Sequence, residues 1–130
     1  MKLLVDSDFL VGIFRKDDLL HKKANVLLKK MRLVTNVIYL SNLVRQESTT
    51  VISNRIGMDK ARQFVAKLEK QSIVSIFIDK DLEKKIWDEF LKQPKKGTSF
   101  VDCSNLVVLN EYNLDKIVSF DKFYPKEIRF

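Results

Sequence analysis

A chain of 130 residues, 45% apolar and 32% charged, has the make-up of one soluble domain, residues 1–130, built around a single core. Two prolines and three glycines leave little for a long linker; one cysteine excludes an internal disulfide or a cysteine zinc cluster, and one histidine excludes cleavage by a histidine acid–base pair. No apolar run approaches the roughly 18–20 residues of a membrane span, and no basic segment followed by a long apolar one opens the chain, so a cytoplasmic protein without a membrane partner is expected. The net charge of +7, from 24 Lys and Arg against 17 Asp and Glu, suits a polyanionic partner such as nucleic acid, or simply a solvated lysine-rich surface.

In chain order, Leu3, Leu4 and Val5 form a short apolar run that reads as a buried strand. It stops at Asp6-Ser7-Asp8, and apolar residues resume with Phe9, Leu10 and Val11. A carboxylate at the end of a central parallel strand lies where open α/β sheets build their sites, and a metal ion is its usual partner. Ser7 and Asp8 can equally serve as caps of the following helix. Asp17 or Asp18 then caps a helix through about Arg32, with Leu20, Ala24, Leu27, Leu28 and Met31 on one face and lysines on the other. Leu33 to Thr35 reads as a second strand, and Asn36 as the cap of a helix through about Ile52 with Leu40, Leu43, Val44 and Val51 inward. Glu47 falls on that inward stripe; it is either a site residue or an edge carboxylate paired with Arg45 or Arg55.

Ser53 to Met58, with Gly57, reads as a turn, and Asp59 as the start of a helix with Ala61, Phe64, Val65 and Leu68 inward. Ile73 to Ile78 is a strand, and Asp79 caps a helix from Asp81 to Lys92. Gln93 to Thr98 is a loop. Ser99 opens the last helix, which stops near Asn113, and Asp102 stands at capping-box distance from it. Lys116 to Phe120 is a final strand followed by Asp121, repeating the opening pattern, and Phe123-Tyr124-Pro125 closes the core. Alternating strands and helices predict a central, mainly parallel sheet with helices on both faces, a three-layer α/β/α fold with all strand C-termini on one side. Asp6, Asp102 and Asp121 then meet on that rim, with Glu47 in reach. Such an all-oxygen set suits Mg²⁺ or Mn²⁺.

The stretches LLVDSDFLVGIF, SNLVRQE, TSFVDCSNLVVLNEY and KIVSFDKFY, in this order and over nearly the whole chain, resemble the PIN-domain nucleases, and among them the VapC-like toxins of prokaryotic toxin–antitoxin pairs. The resemblance implies a PIN-like fold and metal-dependent cleavage of RNA phosphodiesters. Asp6, Asp102 and Asp121 would be the metal ligands, Glu47 would position a ligand or water, and Asp8 and Ser119 would support the site. It also implies a homodimer and a cognate antitoxin on a separate chain, with Ile52, Ile56 and Met58 the apolar residues near a turn that could join two copies. Two alternatives stand beside it. One is a catalytically inert PIN fold that only binds RNA or protein. The other is a haloacid-dehalogenase-type phosphatase, which Asp6-Ser7-Asp8 suggests and Phe9-Leu10 does not match.

Overall fold

Consecutive apolar residues on a strand point alternately to opposite faces, so Leu3-Leu4-Val5 can be buried only by a sheet covered on both sides. In the computed structural model, which describes residues 1–130, this is the arrangement. Leu4 packs with Cys103, Val108, Ile117 and Tyr124, while Leu3 and Val5 pack on the other face with Phe9, Ala24 and Met31.

The elements follow as β1 (Lys2–Val5), α1 (Ser7–Phe14), α2 (His21–Arg32), β2 (Val37–Ser41), α3 (Asn42–Ile56), α4 (Met58–Glu69), β3 (Ile73–Ile76), α5 (Lys80–Leu91), α6 (Phe100–Glu111) and β4 (Lys116–Val118), with a 3-10 turn at Lys126–Ile128. The four strands lie in the order β3-β2-β1-β4, and every pair is parallel. Helices α5 and α6 cover the Leu4 face; α1, α2, α4 and most of α3 cover the other. The expected α/β/α architecture is present, and every strand C-terminus reaches the same rim. No helix is long and apolar enough to cross a membrane.

Several boundaries differ from the sequence expectation. The second strand is Val37–Ser41, not Leu33 to Thr35. Leu33 and Val34 are exposed and only finish the turn after α2, whereas Val37-Ile38-Tyr39 pairs with β1 and Ile38 to Ser41 with β3. Leu40 therefore owes its burial to a sheet face, not to a helical stripe. Asn36 caps no helix; its side chain donates to the carbonyls of Met31 and Val34. The cap of α3 is Ser41, whose hydroxyl accepts from the Val44 N–H at 3.2 Å.

Helix α3 also runs past Ile52 to Ile56, so the expected turn shrinks to Gly57 alone, and α4 starts at Met58. Ile52 is fully buried in the core and is not available to join two copies, while Met58 is exposed. Helix α2 begins at His21, because Asp18 accepts from the Leu20 N–H in a turn before it. The caps Asp79 and Ser99 stand as expected, and Asn113 is left-handed at φ 50° just past α6.

Candidate active site

Asp6 is the N-cap of α1, a role the sequence offered to Ser7 and Asp8. One carboxylate oxygen, Oδ1, accepts from the Ser7 N–H at 2.8 Å and from Asn105 Nδ2 at 3.2 Å. The other, Oδ2, accepts from the Ser119 hydroxyl at 2.7 Å. Both oxygens are thus held in a group only 3% exposed. Burial pushes its pKa above the ordinary carboxylate value, the hydrogen bonds of Ser119 and Ser7 pull it down, and Glu47 and Asp121 raise it further.

Glu47 reaches the rim from α3. Neither proposed arginine pairs with it: Arg55 lies 3.7 Å from Asp18, and Arg45 donates to Ser75. Instead Glu47 Oε2 accepts from the Ser7 hydroxyl at 2.7 Å, so Ser7 ties α3 to the start of α1. Asp102 reaches it from the first turn of α6. The Ser99 hydroxyl accepts from the N–H groups of Val101 and Asp102, yet the Asp102 carboxylate does not close the capping box. Its Oδ1 accepts from the Tyr124 hydroxyl at 3.1 Å. Burial, then the charges of Asp6 and Asp121, push the Asp102 pKa up to about 6.

Asp121 follows β4 and is exposed; its Oδ1 accepts from the Phe123 N–H at 2.8 Å. Asp8 faces the same segment. Its Oδ2 accepts from the Phe120 N–H at 2.9 Å and lies 3.3 Å from the Ser119 hydroxyl, holding the chain before Asp121 against α1. Burial and the neighbouring Asp6 push its pKa up to about 7.

Two members of the site were not legible as such. The buried Asn105 donates through Nδ2 to both Asp6 and the Tyr124 oxygen, while Tyr124 donates to Asp102. These bonds join the two central acids through two neutral side chains. Burial and the acids push the Tyr124 pKa up, so the phenol keeps its proton and stays a donor. The available signal was Asn105 itself, a polar residue three positions after Asp102 and so on the same helix face. Ser7 was legible only as a cap. The lone histidine is elsewhere: His21 Nδ1 lies 2.7 Å from the Gly12 carbonyl at the α1–α2 junction.

The chain provides no cation to offset this charge. None of Asp6, Asp8, Glu47, Asp102 or Asp121 forms an ion pair. Two buried acceptors, Asp8 Oδ1 and Asn105 Oδ1, have no hydrogen-bond donor. A surplus of oxygen acceptors, with neighbouring carboxylates raising the pKa of Asp6, Asp8 and Asp102, fits a hard divalent cation. It is not a finished cage, since nowhere do three His, Cys, Asp or Glu side chains cluster closely enough to hold one ion. Mg²⁺ tolerates this, because it keeps several waters and takes only one or two carboxylates from a protein.

A parallel sheet sandwiched between helices, with buried acids at the strand C-termini, defines a carboxylate-site α/β/α domain. Residues 3–126 match the PIN domain family, and the chain belongs to that family. It is similar to the 23S rRNA-specific endonuclease VapC20 of Mycobacterium tuberculosis, from strains CDC 1551 / Oshkosh and ATCC 25618 / H37Rv; each is 24% identical over 120 residues, 92% of this chain and 88% of the relative. The crystal structure of Mycobacterium tuberculosis VapC20, described as a sarcin–ricin loop cleaving toxin, superposes with a TM-score of 0.82 at 23% identity, covering 92% of this chain and 89% of that one. Family membership sets aside the phosphatase alternative.

Proposed function

We propose that this protein is a metal-dependent endoribonuclease that hydrolyses RNA phosphodiester bonds, and that it is the toxin of a toxin–antitoxin pair. One observation carries the reading: a group of partly buried acids with no cationic partner, on the strand-end rim of a PIN fold. In this reading Asp6, Asp102 and Asp121 would surround Mg²⁺ or Mn²⁺, one or two of them binding it directly and the rest through its waters; when bound it supplies positive charge against the scissile phosphate and makes water a better nucleophile. Asp6 is fixed by three donors and cannot swing away from the rim. Tyr124 orients Asp102. Glu47, anchored by Ser7, is the carboxylate placed to orient a water. Asp8 and Ser119 hold the segment carrying Asp121.

The RNA named for VapC20, the sarcin–ricin loop of 23S rRNA, is the first substrate to test. Cleavage should require Mg²⁺ or Mn²⁺, stop in EDTA and be abolished by Asp6→Asn. Equal cleavage in EDTA would remove the metal from the reading. RNA binding without cleavage at any divalent ion would favour the inert module. The same reading includes a homodimer, checked by light scattering, and a separate antitoxin chain that shields the acids with an arginine.

A further inference from the structure

Beside the acid rim, a groove of about 660 Å³ separates α2 from the C-terminal segment. Four cations line it: Lys23 on α2, then Lys122, Lys126 and Arg129 near the C-terminus. No acidic residue lines it, and none of the four cations forms an ion pair. The Nε–H of Arg129 is buried without any acceptor from the chain. Unpaired cations gathered in a concave surface create a focused positive field, the footprint of a polyanion site.

The groove is continuous with the acid site. Ser119, whose hydroxyl holds Asp6, lines it, and so does Phe120, whose N–H holds Asp8. Phe120 and Phe130 add aromatic surface to a wall that also contains Leu27. Cations for phosphates and aromatic rings for unpaired bases are the two elements of a single-strand track. The other large cavity, about 650 Å³ among α1, α2 and α4, also gathers four cations, Lys16, Arg32, Lys67 and Lys70, but neither Ser119 nor Phe120, which hold the acids, lines it.

We propose that this groove binds a single-stranded flank of the substrate RNA, with Lys23, Lys122, Lys126 and Arg129 on its phosphates and Phe120 and Phe130 against its bases. The occupant rests on the ribonuclease reading. An acidic peptide would satisfy the same cations but would have no use for the aromatic wall or for a path ending at the acids.

The test uses exposed residues, so the variants should fold, which melting curves check. Lys122→Glu/Lys126→Glu is compared with Lys60→Glu/Lys84→Glu on α4 and α5, which carries the same charge change outside the groove. Binding of a labelled single-stranded RNA is read by fluorescence anisotropy in EDTA over a range of salt. The groove variant should bind at least about tenfold more weakly, with a salt slope lower by about 0.7 for each phosphate no longer neutralised, while the control changes less than about threefold. With Mn²⁺, its cleavage should show a raised KM and a largely retained kcat.

Equal losses in the two variants would overturn the proposal, because the effect would then be net charge alone. Unchanged RNA binding with lost binding of a polyglutamate peptide would also overturn it, assigning the groove to a protein partner. Wild-type cleavage with an indifferent groove would refute the groove and leave the ribonuclease reading standing. Groove-dependent RNA binding without wild-type cleavage would do the reverse.

Discussion

Asp6 shows how one residue can cap a helix and belong to a site. Its oxygens satisfy an α1 N–H, an amide and a hydroxyl, and the charge they carry is met by no cation of the chain. Ser99 caps α6 by itself, and Asp102, which does not close a capping box, turns its carboxylate to Tyr124. Ser99→Ala should therefore cost about 1 kcal/mol of stability through the lost cap, with the acids still in place. Asp102→Asn should abolish cleavage and leave the metal-free fold within about 1 kcal/mol of wild type, because an amide oxygen still accepts from Tyr124. Melting and RNA cleavage measured on both variants separate the roles. A fully active, destabilised Asp102→Asn protein would return Asp102 to capping.

Asp8 gives a pH dependence of unusual sign. Its pKa is about 7 in the fold against 3.8 for the free group, so between these values the folded state keeps a proton that the unfolded chain has released. Stability from this group is complete below the unfolded value and is lost as pH rises toward 7. In EDTA, stability should fall by a few kcal/mol at most between about pH 5 and about pH 7.5, read as a declining melting temperature, and Asp8→Asn should flatten the decline. Wild-type and Asp8→Asn curves of the same slope would contradict this.

At the scale of elements, the break between α3 and α4 rests on Gly57. Its φ of 92° and ψ of 171° lie where only glycine sits without strain. A Cβ there would meet no atom within 4 Å, so any cost is conformational. Gly57→Ala should destabilise by about 1–3 kcal/mol in a denaturant melt and spare the acid geometry. A neutral substitution would mean that the helix junction relaxes. Gly12 is a different case: a Cβ there would come 3.2 Å from Ala24 Cβ, so it permits the close approach of α1 to α2. Ser41 caps the helix that carries Glu47 to the rim.

For the whole molecule, four acids from four separate stretches come to one rim because all strands run parallel. Bringing like charges together works against the fold unless something neutralises them. Mg²⁺ should raise the stability by about 2.7 kcal/mol at a hundredfold excess over its dissociation constant. Asp6→Asn should lose most of that gain while melting no lower in EDTA, since it keeps a cap oxygen and removes repulsion. An ion that leaves the wild-type melting temperature unmoved would argue against a metal site at this rim.

The alternation of apolar runs with amphipathic stretches was sufficient for the sheet, its parallel sense and the rim, because burial on both faces needs runs such as Leu3-Leu4-Val5. Acids that break an apolar pattern could be read the same way, and Asp6 and Glu47 both did so. The start of α3 could not. Leu33-Val34 and Val37-Ile38-Tyr39 are both short and apolar, and only pairing with β1 and β3 selects the second.

The partners of each acid were likewise decided in three dimensions. Ser7 and Glu47 are 40 residues apart, Asp6 and Asn105 are 99 apart, and Asp6 and Ser119 are 113 apart. Hydrophobic periodicity is a local property, carried by the residues of one helix or strand. A hydrogen bond between distant residues depends on register, crossover and packing together. The sequence alone therefore determined which carboxylates stand at the rim. Only the tertiary structure decided that Asn105 and Tyr124 join two of them, and that four unpaired cations form a groove at their side.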